Sequence, residues 1–171
     1  VYVLKLLGAI ALAVLVHLAG VRIFPGFAQA VDVFLVVVVL HALEGSSLAG
    51  LLVGLLIGLL YDTLTGGPFG LFGFADTIIG YGTARLAQRL VIQRATGVFA
   101  VASFASALQQ AIVVTLAFLL LPTPALPDPF WVVVKAGVCG LLGMAAHVAA
   151  RRWRRTAESR RRSRMSRLRL G

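Results

Sequence analysis

Six apolar runs, at residues 2–18, 31–43, 48–64, 69–86, 96–121 and 130–150, fill most of this sequence. The longer ones reach the roughly 20 residues that a helix needs to cross a hydrocarbon layer about 30 Å thick. Hydrophobic residues make up 60% of the chain and charged residues 13%, whereas a soluble domain is about a quarter charged. So little polar surface cannot cover a water-soluble fold, and the solvent must be largely lipid. In lipid every backbone polar group has to be paired within its own segment, which runs of this length achieve as helices. The expected fold class is all-α, a polytopic integral membrane protein.

The second and third runs cannot be one helix. Residues 31–64 would then extend about 50 Å at 1.5 Å per residue, too long for one crossing. A turn at Glu44-Gly45, with Ser46 or Ser47 as N-cap, divides them. The second run is short, which implies tilt, thinning or burial. "RIFPGFAQ" closes the first helix, and the four prolines of "PTPALPDP" stop the fifth. The first run is expected to be a retained membrane helix, because no small-residue cleavage site followed by a soluble domain is present.

Six crossings put both chain ends on one side. That side collects Lys5, Arg85, Arg89, Arg94 and the ten arginines between residues 151 and 169, while the opposite loops hold Arg22. By the positive-inside rule both termini are expected to be cytoplasmic, with "DTLTGGP" and "PTPALPDP" facing outward. A six-helix membrane domain over residues 1–150 and a basic cytoplasmic tail over 151–171 follow. The formal charge of +10 is thus a tail rather than a property of the whole surface. Arg151, Arg152, Trp153, Arg154 and Arg155 are expected at anionic lipid headgroups, and no nucleic-acid partner is expected. The tail alone is too polar to fold. Cys139 is the one cysteine, so no intramolecular disulfide can form.

Ionisable groups within the membrane cost about 2.5–3.5 kcal/mol at a helix centre, so each asks for a reason. Asp32, Glu44 and Lys135 lie near helix ends, where snorkelling or water reduces that cost. His41 and Glu44 are three apart on one helical face, but no further ligand at matching spacing completes a metal site. His17 and His147 read as interhelical hydrogen-bond partners or interfacial residues. Ser103 and Ser106 have no base nearby in sequence and read as small packing residues. No HExxH, P-loop, GxSxG or paired-carboxylate arrangement occurs, so neither an enzyme nor a cofactor site is expected.

Asp62 and Asp76 are the remaining acids of the apolar runs. Gly50, Gly54, Gly58 and Asp62 recur every four residues, near one stripe of a helix, and glycines so spaced let two backbones approach closely. Asp76 sits in the next helix with Gly80 and Ala84 at the same spacing. The two helices are expected to pack on each other, with Asp62 capping the amides of "TLTGGP" and Asp76 bonding a neighbouring helix. The alternative is a small-molecule or ion site near the outer face. Gly66 or Gly67 is expected to take a positive φ. Gly67→Val is then expected to disrupt the turn, and Asp62→Asn to fold almost normally, because Asn also caps well.

The segment "GLLIGLLYDTLTGGPFGLFGFADTIIGYGTARL" resembles the rod shape-determining protein MreD family. That family shows a Gly/Leu helix ending in Asp, a Ser/Thr-Gly-Gly-Pro-x-Gly turn, and a helix closing on Gly-Tyr and a basic residue. Asp62, Thr65, Gly66, Gly67, Pro68, Gly70, Gly80, Tyr81 and Arg85 fill those places, whereas Asp76 and the length of the arginine tail depart from the pattern. The resemblance implies a multi-pass, non-enzymatic component of the bacterial inner membrane that belongs to the elongasome. Its implied partner is MreC, and through MreC it acts on RodA and its penicillin-binding transpeptidase in peptidoglycan synthesis and cell-shape maintenance. A second reading is the substrate-binding subunit of an energy-coupling-factor vitamin transporter, because Ala9 and Ala13 form an AxxxA like that family's coupling motif.

Overall fold

A computed structural model describes residues 2–90, 94–122 and 127–169, with residues 2, 154, 155 and 157–169 described by their backbone alone. Among the described residues seven helices follow one another: α1 (Tyr2–Ile23), α2 (Phe27–Ala30), α3 (Val33–Glu44), α4 (Ser47–Thr65), α5 (Leu71–Arg89), α6 (Ala95–Leu120) and α7 (Pro129–Arg169). Among the described residues there is no strand. Five of the segments, 3–23, 27–44, 47–65, 95–120 and 129–153, are long and apolar enough to cross a membrane. The chain is an all-helical polytopic membrane protein. α5 falls short on composition because it carries Asp76, Arg85, Gln88 and Arg89, yet it matches the 19 residues of α4 and lies antiparallel along it.

The local signals act as elementary capping chemistry predicts. Ser46 N-caps α4, its hydroxyl accepting from the Ala49 amide at 3.2 Å. At the other end of α4, Gly66 is left-handed at φ +65° and stops the helix. Leu121 turns extended after α6, ahead of Pro122. The four-residue α2 begins inside the "RIFPGFAQ" stretch that closes the first helix. Its Phe27 ring fills the space beside Gly20.

α3 is the axis of the bundle. Phe34 and Val38 pack with Ala13, Val53, Ile57 and Tyr61 from α1 and α4. Leu35 and Val39 on its other face pack with Ile79, Ala102 and Ala105 from α5 and α6. A helix surrounded in this way does not face lipid along its length, which is how a run of twelve residues serves here. α7 continues unbroken from the apolar segment into the arginine-rich one. A helix already nucleated in the membrane extends at the cost of propagation alone, so the tail need not fold by itself.

Candidate functional site

The α4–α5 hairpin is built around the side chain of Asp62. Both carboxylate oxygens accept backbone hydrogen bonds: Oδ1 from Phe72 at 3.0 Å, and Oδ2 from Gly70 at 2.9 Å and Gly73 at 3.0 Å. These amides belong to the start of α5, so Asp62 caps the following helix rather than the "TLTGGP" amides. Gly70, at the N-cap position of α5, has no side chain to do it. A carboxylate at a helix N-terminus is further favoured by the helix dipole. Asp62 is 2% exposed, and these three charge-assisted bonds offset its burial.

The turn between the helices uses two left-handed glycines, Gly66 at φ +65° and Gly70 at φ +100°. Gly67 is not one of them, and its position is open apart from Thr65 Oγ1 at 4.0 Å. The Thr65 hydroxyl donates to the Tyr61 carbonyl at 3.0 Å and so finishes α4. Pro68 and Phe69 are exposed.

Below the turn, the glycine stripe becomes a backbone-to-backbone seam. A Cβ on Gly50 would run into the Gly80 carbonyl, and one on Gly54 into the Asp76 carbonyl. A Cβ on Gly58 would stand 2.8 Å from Gly73 Cα. Gly80 returns the contact against Gly50. The stripe therefore holds α4 and α5 as one rigid unit. Tyr81 and Arg85, from the same sequence segment, point away from the seam and are exposed.

A second polar group of residues lies deeper. Asp32 and Lys135, expected near helix ends where exposure would be cheap, are instead buried, at 0% and 2% exposure. Their side chains pair at 3.1 Å between Lys135 Nζ and Asp32 Oδ2. Asp32 Oδ1 also accepts the Leu35 amide at 3.0 Å, N-capping α3, and Lys135 Nζ is 5.7 Å from the centre of the Phe72 ring. Each charge lies near a helix end, but α7 packs against that end of α3 and leaves both side chains almost wholly buried. Asp76, fully buried, accepts from Gln109 Nε2 at 2.7 Å, which ties α5 to α6. Among the described residues its Oδ2 has no partner, nor do Gln109 Oε1 and the Ser106 hydroxyl.

His17, read as an interhelical hydrogen-bond partner or an interfacial residue, is buried among aromatic rings. It sits edge-on to Phe34 and Tyr61, with centroids 5.5 Å away in each case, and its Nδ1 has no partner among the described residues. His147 Nε2 has none either. Glu44 is exposed, and no three His, Cys, Asp or Glu side chains converge on a metal-sized site among the described residues. Ser106 is buried, and Ser103 Oγ fills the space that a Cβ on Gly140 would take, so both lie on the packed face of α6. Arg151, Arg152 and Trp153 are exposed, while the side chains of Arg154 and Arg155 lie outside the described residues.

Two of the concavities among the described residues bear on function. One, of about 440 Å³, runs between α5 and α6 and is lined by Ile78, Gly82, Leu86, Val101, Phe104 and Leu108 among others. No atom lies within 4 Å of where a Cβ on Gly82 would sit, so its floor is open. The other, of about 550 Å³, opens at the end of the bundle that carries the 66–70 turn.

No curated protein and no solved structure matches the chain. The sequence model of the family described as rod shape-determining protein MreD matches residues 2–125, from α1 through the whole of α6. That span includes the Asp62 cap, the glycine seam and the α5/α6 groove, and it covers well over half of the 171 residues. The chain belongs to the rod shape-determining protein MreD family.

Proposed function

We propose that this chain is a non-enzymatic scaffold of the bacterial inner membrane, with both termini in the cytoplasm. In this reading it holds MreC within the elongasome and through it supports RodA and its penicillin-binding transpeptidase in peptidoglycan synthesis. Family membership supports the cell-shape role, and the orientation rests on the arginines gathered at one end of the bundle. The observation that carries the partner reading is the α5/α6 groove. It is apolar and has Gly82 and Ala100 among its lining, the small residues that let a second helix approach closely. A single-span partner such as MreC offers one apolar helix, which is the shape this groove takes. The rigid α4–α5 unit then holds one wall of the groove still, so docking costs little ordering.

Gly82→Phe tests this directly, because the open floor lets the fold accept the ring while the groove is filled. Loss of MreC capture from native membranes, with unchanged melting, is the expected result. Undiminished capture would remove the groove from the reading. The vitamin-transporter alternative has less support, because Ala13 of its AxxxA pair is 1% exposed within the chain's own core while Ala9 is half-buried.

A further inference from the structure

The cavity at the turn end of the bundle lies away from the α5/α6 groove, and its chemistry is different. Exposed Gln29 and Asp128 stand at its mouth, Tyr61, Phe72 and Trp131 form aromatic walls, and Lys135 is at its floor. Its volume of about 550 Å³ lies inside the range of roughly 300–1,000 Å³ typical of small-molecule sites, which are likewise mostly apolar with a few convergent polar groups.

Three observations specify what would fit. Lys135 is an ammonium with three donors, and its one ion pair, with Asp32 at 3.1 Å, leaves donor capacity at the floor. A cation this deeply buried is stabilised by any further acceptor that reaches it. Lys135 is in the lining of the cavity and Asp32 is not, so the floor presents a donor rather than an acceptor. Finally, Asp128 and Lys135, both in the lining, are seven positions apart, so the cavity extends about 10 Å along the start of α7.

We infer that this cavity binds an elongated small molecule with a flat apolar body and a carboxylate or carbonyl at its leading end. The molecule enters from the turn end, its acceptor meets Lys135, and its body lies against Phe72 and Trp131. The inference does not rest on the partner reading above, since the α5/α6 groove shares no lining residue with this cavity.

The test uses the full chain in lipid nanodiscs carrying Trp153→Phe, which leaves Trp131 as the sole tryptophan. The probe is 2-naphthoate, with 2-naphthylmethylammonium as a control of the same body and opposite charge, and with empty nanodiscs to measure partitioning. A saturable quench of Trp131 by naphthoate is expected, with the ammonium about tenfold weaker, the size of one charge-assisted hydrogen bond. Val114→Phe, which fills the cavity wall, should abolish saturation, and Lys135→Gln should abolish the preference for the anion. If Lys135→Gln does not fold, the Val114→Phe comparison decides. A non-saturating quench, or one unchanged by Val114→Phe, overturns the assignment. So does a phospholipid seated in the purified protein by native mass spectrometry that naphthoate does not displace.

Discussion

Gly54 of α4 lies directly against the main-chain carbonyl of Asp76 in α5, with no room between them for a side chain. The same helix turn of α5 thus gives its backbone to the α4 seam and its carboxylate to Gln109 of α6. Asp76 therefore joins three helices through one residue. Gly54→Ala should cost about 1–3 kcal/mol, because the methyl group meets backbone that cannot rotate away. Gly82→Ala, where nothing lies within 4 Å, should be neutral or mildly stabilising in its helix. Thermal melts of the two variants in one detergent check the contrast, and equal melting temperatures would dissolve the seam.

The Asp62 cap changes what an isosteric substitution does. Asn caps well when one oxygen accepts one amide, but here both oxygens accept, from the amides of Gly70, Phe72 and Gly73. An Asn side chain turns its NH2 group towards at least one of those donors. Asp62→Asn is expected to lose about 1–3 kcal/mol, and Asp62→Ala more, in contrast to the near-normal folding that capping preference alone suggests. Denaturant titration of both variants measures this. An Asn variant as stable as the parent would show that one oxygen suffices.

Turn strain is localised at two positions. Gly66→Ala and Gly70→Ala each place a Cβ on a left-handed backbone, at about 1–2 kcal/mol. Gly67→Val, by contrast, enters open space without a positive φ and should melt with the parent protein. The order of the three melting temperatures is the readout, and a Gly67→Val variant as damaged as the other two would mean the turn is held differently.

How much of this was legible in the sequence depended on range. The glycine stripe of Gly50, Gly54 and Gly58 could be read because a helix repeats every 3.6 residues, and so could the Ser46 cap. Asp62 was recognisable as a capping acid, but its partners were not. They lie eight to eleven residues on, across a turn whose path depends on the φ angles of Gly66 and Gly70. Asp32 was legible only as a residue near a helix end, inside the 31–43 run, and not as the N-cap of α3. Its pairing with Lys135 left no local trace, because the two residues are on helices remote in sequence. Gln109 gave no signal of a buried partner, because Gln110 beside it and the Ser and Thr residues of the same run are equally polar. Asp76 completes that pair only once α5 and α6 are side by side.

The Asp32–Lys135 pair yields the sharpest test of the core. Removing one partner of a buried pair leaves the other charge uncompensated, at about 3–5 kcal/mol, whereas replacing both is often close to neutral. Asn keeps the acceptor that Asp32 Oδ1 offers to the Leu35 amide, so Asp32→Asn isolates the loss of charge from the loss of the α3 cap. Lys135→Met keeps the length and apolar stem of the lysine. Each single variant should be strongly destabilised, and the double variant should recover most of the loss, giving a coupling of at least about 2 kcal/mol in a double-mutant cycle. Purely additive losses would mean that Lys135 packs at this position without depending on the Asp32 charge.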